Sequence, residues 1–443
     1  MKRLIKLVHV TTVPQSLSFV AKQVGYMKAR GFDVYGLSSP GTFLTLFAES
    51  EGIQVMAVDM PRRITPMRDL VAIFKIWRLL RQIQPQIVHA HTPKGGLLGM
   101  LGAWLGRVPV RLYHMHGLPY LTASGWRKSL LMWSEYLSCR LAHRVICVSA
   151  SLRAVAVDAG LCPAEKIRVL LRGSCNGVDA AVRFNPALLG DELRIAIRRK
   201  YHIPCDAMVA GFVGRIVRSK GLVELADAWA ALRQEFPSLH LLLVGPAEPG
   251  DPLPPEIARR LHDDPRVHLV GEEWDIPPVY AAMDVLLLPT YREGFGNVLI
   301  EAAAMKLGIV ATNVPGCVDA VQDGVTGTLI PPHDPRQLAE AVRRYLGDPE
   351  LRHRHGEAAR VRVLRDFSDR AIWQAVYEVY LEILEEKGIS APDASIATTQ
   401  AEKELVTLSP DRTLSDQLSG QGSGRKETEA VSAGGFRPAA GPS

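Results

Sequence analysis

Short apolar strands alternate with longer amphipathic stretches along most of this chain, and the alternation starts afresh near residue 205. The first set of strand candidates is LIKLVHV (4–10), FDVYGLS (32–38), IQVMAVD (53–59), QIVHAH (86–91), VRLYHMH (110–116), RVICVS (144–149) and IRVLL (167–171). The second set is AMVAGFVG (207–214), LHLLLVG (239–245), RVHLVG (266–271), VLLLPT (285–290), IVATN (309–313) and TGTLIPP (326–332). Helical patterns fill the gaps. A strand followed by a helix and another strand can only close as a parallel pair, and parallel sheets need both faces covered. The pattern therefore predicts an α/β fold of two doubly wound lobes. The expected boundaries are 1–185 for the first lobe and 206–366 for the second, with a polar joining region around 178–205. Residues 335–386 read as helical, and a closing helix at 367–387 is expected to pack back on the first lobe. From 388 to 443 aromatics nearly vanish, and Gly, Ser, Ala, Pro and Thr dominate. Such a segment buries too little to offset its chain entropy, so it reads as disordered.

A chain of 443 residues suits two domains better than one. Its six cysteines form no CxxC pair, which excludes a zinc ribbon or a thioredoxin motif and fits a reducing, cytoplasmic setting. The longest apolar stretches, such as GGLLGMLGAWLG at 95–106, are too short and too glycine-rich to span a bilayer. MKRLIKLVHVTTVPQ opens like a signal peptide, but its apolar run breaks at Thr11, Thr12 and Pro14, so it reads as a first strand. Net charge is +6, yet residues 1–180 hold 23 Lys and Arg against 9 Asp and Glu, leaving −8 on the rest. A basic first half suits an anionic partner such as a bilayer surface or a diphosphate lipid. No nucleic-acid reader motif accompanies it.

The most informative stretch is YREGFGNVLIEAAAM, residues 291–305. It follows the carboxyl end of a buried strand, where open α/β sheets bind ligands. Glu293 lies in that loop, and Gly294 and Gly296 allow close backbone approach. The first amides of the next helix, around Asn297, Val298 and Leu299, suit an anion. Glu301, eight positions on, would return to within about 80° of the same face on a continuous helix. Two acceptors flanking a phosphate site match a nucleotide-sugar, which has hydroxyls at both ends and a diphosphate between them. GFVGRIVRSKGL (211–222) adds Arg215 and Lys220 at the end of the second lobe's first strand. Arg grips phosphate with two N–H groups and Lys adds a point charge. The GKS or GKT of a P-loop is missing.

With GRIVRSKG, VLLLPTYREGFGNVLIEAAAMKLGIVATNVPG and DGVTGTLIPPHDPRQLAEAV, the second half resembles the nucleotide-binding lobe of family-4 retaining glycosyltransferases of the GT-B fold. HVTTVP, VHAHTPKGGLLG, HMHGL, RVICVSASL and GSCNGVD are similar to the first lobe of the capsular-polysaccharide branch. The resemblance covers about residues 1–385. It implies Glu293 beside the donor sugar, Glu301 on the ribose, and Arg215 with Lys220 on the diphosphate. It implies Gly294, Phe295, Gly296, Asn297, Val298 and Leu299 against sugar and phosphate, and His116 near the reacting sugar. Thr12, Ser16, His91, Lys94 and Asn176 are the candidates for the acceptor side of the cleft. One departure stands out: many relatives carry a double-glycine loop after the first strand, and here the stretch is TTVPQSLSF. The resemblance further implies same-face attack with diphosphate departure and no protein nucleophile. No Asp-x-Asp triplet occurs, so neither a metal nor another cofactor is expected.

Two histidine pairs, His89 with His91 and His114 with His116, each share a strand face. Four imidazoles could bind zinc, but lining of the cleft is the preferred reading, with His116 the candidate for function. Residues 61–82 and 124–140 mix Arg and Lys with Phe74, Trp77, Trp126 and Trp133, which suits a bilayer interface. For most of 66–84 packing on the sheet is preferred, and the loop before the second helix is the better membrane candidate. The expected protein is a cytoplasmic, peripherally bound transferase at the inner face of the plasma membrane. It would use a nucleotide-sugar, UDP-linked, and a lipid-linked saccharide. Rival readings are a UDP-sugar 2-epimerase of the same fold and a non-catalytic nucleotide-sugar-binding protein.

Overall fold

The computed structural model describes residues 4–248 and 250–392. Of the expected disordered tail, 393–443 lies outside the described residues; Ile389 still packs beside the closing helix. The first sheet holds β1 (Ile5–Val10), β2 (Phe32–Ser38), β3 (Gln54–Ala57), β4 (Ile87–His91), β5 (Val110–Met115), β6 (Arg144–Cys147) and β7 (Ile167–Val169). They run parallel in the order β3-β2-β1-β4-β5-β6-β7. The second sheet holds β8 (Met208–Val213), β9 (Leu239–Val244), β10 (Val267–Gly271), β11 (Val285–Leu288), β12 (Gly308–Thr312) and β13 (Thr328–Ile330). Its order is β10-β9-β8-β11-β12-β13, again parallel. Every expected strand overlaps one of these. β4, β11 and β12 are buried along their whole length, which is why they read as unbroken runs. In each sheet the order reverses beside the first strand, at β1/β4 and at β8/β11, and a crevice opens there at the carboxyl ends.

The region expected to join the lobes is mostly a helix, Pro186–Lys200, kinked at Gly190. It belongs to the second lobe. Arg198 is 1% exposed and donates to the carbonyls of Ala282, Cys205 and Ala207 and to Asp284 at 3.1 Å. Arg194 takes the other Asp284 oxygen at 2.8 Å. The basic run that looked like a polar linker is thus a buried hub. Truncating one partner of such a pair leaves the other charge uncompensated. Arg198→Ala is expected to cost about 3–5 kcal/mol, read as a lowered midpoint in urea unfolding.

Residues 335–386 form three helices: Pro335–Gly347, Pro349–Asp366 and Asp369–Glu386. The last one crosses to the first sheet, where Ile372, Val376, Tyr380 and Ile383 meet Ile5, Leu7, Val110 and Leu112. Arg168 donates to Glu382 at 2.6 Å on its outer side. The two chain crossings touch, because Val178 N–H donates to the Phe367 carbonyl at 2.9 Å. Gly177 makes that contact possible: its φ is 70°, and a Cβ there would lie 2.4 Å from the Asp369 Cα.

Helix Pro66–Ile83 buries Ala72, Ile76 and Leu80, with Ile73, Leu79 and Ile83 packed against the same core. The expected packing holds along that face, against a helix and not directly on the sheet, while Met67, Leu70, Val71 and Phe74 are exposed. One stripe is enough to seat it on the neighbouring helix, Pro93–Leu105, so the remaining apolar side chains face outward. Trp126 and Trp133 on helix Gly125–Leu141 are exposed as well. No helix among the described residues is long and apolar enough to cross a membrane.

Candidate active site

The loop after β11 meets the end of β5. Gly294 lies so close to the first lobe that a Cβ on it would fall 1.8 Å from the His116 carbonyl oxygen. Its own carbonyl accepts from Ser149 Oγ at 2.7 Å. Next door, Asp319 accepts from the Ala150 and Ser151 amides at 2.9 and 3.2 Å, capping a first-lobe helix from the second lobe. Glu293, Gly294 and His116 are thereby brought to one junction between the lobes.

On the second-lobe side, Lys220 and Glu293 form an ion pair, with side chains 16% and 15% exposed. Arg215 is not beside them in the same way. It donates to Glu248 at 2.6 Å, and Arg62 of the first lobe binds the same carboxylate. Burial pushes the Glu248 carboxyl up, but the hydrogen bond from Arg62 and the charge of Arg215 together hold it below the usual range. Arg292 is a further cation at this place. Burial, then the Arg215 charge, lowers its pKa, and its Nε is buried without a partner.

Helix Asn297–Ala304 starts at Gly296 without a side-chain cap. Two of the three amides expected to be free are engaged: Asn297 N–H donates to the Phe295 carbonyl and Leu299 N–H to Gly296, both at 2.9 Å. Short turns at the helix start satisfy them locally. Phe295 turns its ring onto Phe367, with centroids 5.5 Å apart, and Leu299 is fully buried. Leu299 thus offers nothing to a ligand and Phe295 very little. Val298 is half-buried and packs against the core. The Asn297 side-chain oxygen is buried with no partner. Glu301 accepts from Tyr280 Oη at 2.8 Å, and burial raises its carboxyl above the usual range against that hydrogen bond and the charge of Arg183.

On the first-lobe side, His116 stacks on Phe19 with centroids 4.5 Å apart. Its Nδ1 lies 3.0 Å from Cys175 Sγ and its Nε2 lies 3.0 Å from His91 Nδ1. Burial, then the neighbouring His114, holds its pKa well below the ordinary value, so it is neutral. Thr12 Oγ1 accepts from the Gly95 amide at 2.8 Å and lies 2.8 Å from Thr92 Oγ1, clipping two loops together. Ser16 sits half-buried in the short helix Pro14–Val20.

Two further cleft candidates are held by other groups. Lys94 donates to the Pro61 and Arg63 carbonyls at 2.6 Å and pairs with Asp69 at 2.6 Å. Asn176 is held by Ala21 and by Trp373 Nε1 at 2.7 Å, on the side of the closing helix. Both have strong local partners that their sequence neighbours do not reveal. The residues that sequence reasoning missed are Glu248, Arg292, Cys175, Asp319 and His9, and apart from Arg292 each meets a partner from a distant segment of the chain. Arg292 alone had a local signal, as the neighbour of Glu293.

The family of glycosyl transferases group 1 matches residues 207–348, and the glycosyl transferase 4-like domain matches residues 18–173. The chain is 32% identical over 382 residues to a capsular polysaccharide biosynthesis glycosyltransferase of Staphylococcus aureus, spanning 86% of this chain and 98% of that one. It is 25% identical to an Escherichia coli UDP-Gal:alpha-D-GlcNAc-diphosphoundecaprenol alpha-1,3-galactosyltransferase, over 78% and 89% of the two chains. Among solved structures, Anabaena Alr3699/HepE in complex with UDP and glucose superposes with a TM-score of 0.71 at 21% identity, covering 85% of this chain and 99% of that one. A glycosyltransferase from Rickettsia africae ESF-5 gives 0.70 at 22%, with 86% and 100% covered. Matched on both lobes and along nearly its whole described length, the chain belongs to the group 1, glycosyltransferase 4-like family and is a glycosyltransferase of the GT-B fold.

Proposed function

We propose that this enzyme moves a sugar from a UDP-linked donor to a polyprenyl-diphosphate-linked saccharide during capsular or exopolysaccharide assembly, with retention at the anomeric carbon. The observation that carries this reading is the Lys220–Glu293 pair, set at a glycine loop whose Gly294 abuts the His116 carbonyl across the lobe junction. A cation and a carboxylate side by side suit a donor whose phosphate and sugar hydroxyls lie side by side. The UDP in the Anabaena structure and the diphosphoundecaprenol acceptor of the Escherichia coli relative support the same substrate classes.

In this reading Lys220 swings from Glu293 to the diphosphate, and Arg215 leaves Glu248 to join it. Charge developing on the leaving phosphate is then met by fixed cations in a partly dry site. Glu293, freed from Lys220, orients the sugar hydroxyls. The leaving phosphate takes the acceptor proton, so no protein nucleophile and no metal is needed. Glu301, oriented by Tyr280, holds the ribose. Since Glu301 binds substrate and transition state alike, Glu301→Gln is expected to raise the donor KM about tenfold with kcat nearly unchanged, measured by initial rates against donor concentration.

The acceptor lipid places the enzyme at the cytoplasmic face of the plasma membrane. Exposed Met67, Leu70, Phe74, Trp126 and Trp133 lie beside Arg63, Arg68, Lys75, Arg127 and Lys128 in the same helical region, a composition that suits an anionic interface. The deciding experiment offers labelled UDP-, GDP- and dTDP-sugars with a polyprenyl-lipid extract, in EDTA, beside a Glu301→Ala control. Label entering lipid from one donor, and strongly reduced in the control at donor concentrations below KM, is the expected result. A rearranged free nucleotide-sugar with no label in lipid would establish the epimerase instead. Nucleotide binding without either product would leave a binding protein.

A further inference from the structure

Five histidines, not four, share one face of the first sheet. His9 on β1 is registered beside His89 on β4, and His91 beside His114 on β5, with His116 just past the strand end. His9, His89, His91 and His114 are no more than 4% exposed.

The hydrogen bonds among them do not close. Among the described residues, His9 Nε2, His89 Nε2 and both nitrogens of His114 are buried without a partner. A buried nitrogen left this way costs about 1–3 kcal/mol, and each neutral ring has one lone pair to offer a cation. The bonds that do exist point the same way. His89 Nδ1 lies 2.7 Å from Tyr380 Oη, and if Nδ1–H donates to that oxygen, Nε2 keeps its lone pair. His91 Nδ1 lies 3.0 Å from His116 Nε2, and His116 Nδ1 lies 3.0 Å from Cys175 Sγ. If each Nδ1–H donates along that chain, His91 Nε2 is an acceptor. Outer hydrogen bonds of this kind orient ligating imidazoles in metal sites. His9 Nδ1 stands 3.0 Å from His91 Nε2, near the roughly 3.3 Å edge of a tetrahedron built on zinc–nitrogen bonds of about 2.0–2.1 Å. One nitrogen from each of His9, His89 and His91 falls within 4.8 Å of the others.

We propose that His9, His89 and His91 bind one late first-row divalent cation, Zn2+ in the first instance, which ties β1 to β4 behind the acceptor side of the cleft. The ion is structural and separate from donor chemistry, since no ligand comes from the second lobe.

The test uses untagged full-length protein grown with added zinc, dialysed, and assayed by elemental mass spectrometry. About one equivalent of zinc is expected, and cobalt in its place should give the visible absorption of a low-coordinate histidine site. His9→Gln and His89→Gln should each cut metal affinity at least about tenfold, with far-ultraviolet circular dichroism unchanged. His240→Gln, in a second histidine pair on the other lobe, should keep the full equivalent. A wild-type protein that stays metal-free in micromolar zinc while folded would overturn the proposal, and buried water would then be the partner of these nitrogens. So would full retention in both variants. Loss on His114→Gln with retention in His9→Gln would overturn the assignment too, because it moves the ion to His91, His114 and His116.

Discussion

Lys220→Met is expected to lower kcat for sugar transfer by about 10²–10³-fold, the cost of removing one preorganised donor from developing oxyanion charge. Lys220 is 16% exposed and already paired, so its charge acts through little water. Its loss has two separable consequences. The leaving phosphate loses a cation, and Glu293 is left as an uncompensated carboxylate. A double variant distinguishes them. If Lys220 serves only to neutralise Glu293, Lys220→Met with Glu293→Gln should recover much of the rate. If Lys220 acts on the phosphate, the double variant stays at least as slow as Lys220→Met alone. The second outcome is expected, read from single-turnover rates with labelled donor. Arg215→Ala should cost less, about tenfold, because its side chain is 43% exposed and solvent screens it.

Gly294→Ala should be nearly as damaging without touching a charge. The added methyl would meet the His116 carbonyl at 1.8 Å, and the carbonyl is backbone, so it cannot swing aside as a side chain would. The lobes must part at the junction where Gly294, next to Glu293, meets the His116 backbone. A misplacement of about 1 Å between reacting groups costs on the order of 100-fold in rate. The expected result is a loss of that size in kcat/KM, a small rise in the radius of gyration by solution scattering, and a stability loss of about 1–3 kcal/mol. Gly347→Ala, where nothing lies within 4 Å, is the control that should change none of these. Full activity in Gly294→Ala would mean that the closed junction is not the working geometry.

The strands were legible because each is announced by its own residues. VLLL at 285–288 and IVHAH at 87–91 are apolar or buried throughout, and the glycine, proline and asparagine turns that bound them are local too. The repeat of the pattern after residue 205 was legible for the same reason. The glutamate pair could be found because its loop and helix are contiguous. Where reading faltered, a contact between distant segments had decided the matter. Lys94 looked free to reach the cleft, but Asp69 and two carbonyls on the segment before it claim the ammonium. Residues 178–205 looked like a polar joining region, but Asp284, just before β11, turns Arg194 and Arg198 inward.

The sequence by itself determined the two α/β lobes, their strands, and the glycine-flanked carboxylates at a strand end, because periodicity and turn chemistry act over a few residues. Tertiary structure alone decided that Arg62 shares Glu248 with Arg215, that Asp319 caps a helix of the other lobe, and that His9 joins the histidines of β4 and β5. The physical reason is the order of the strands and the meeting of the lobes. β1 lies beside β4, about 80 residues on, because crossover connections let a parallel sheet insert later strands next to its first. Which side chains then share a buried space depends on that placement, and no local pattern carries it.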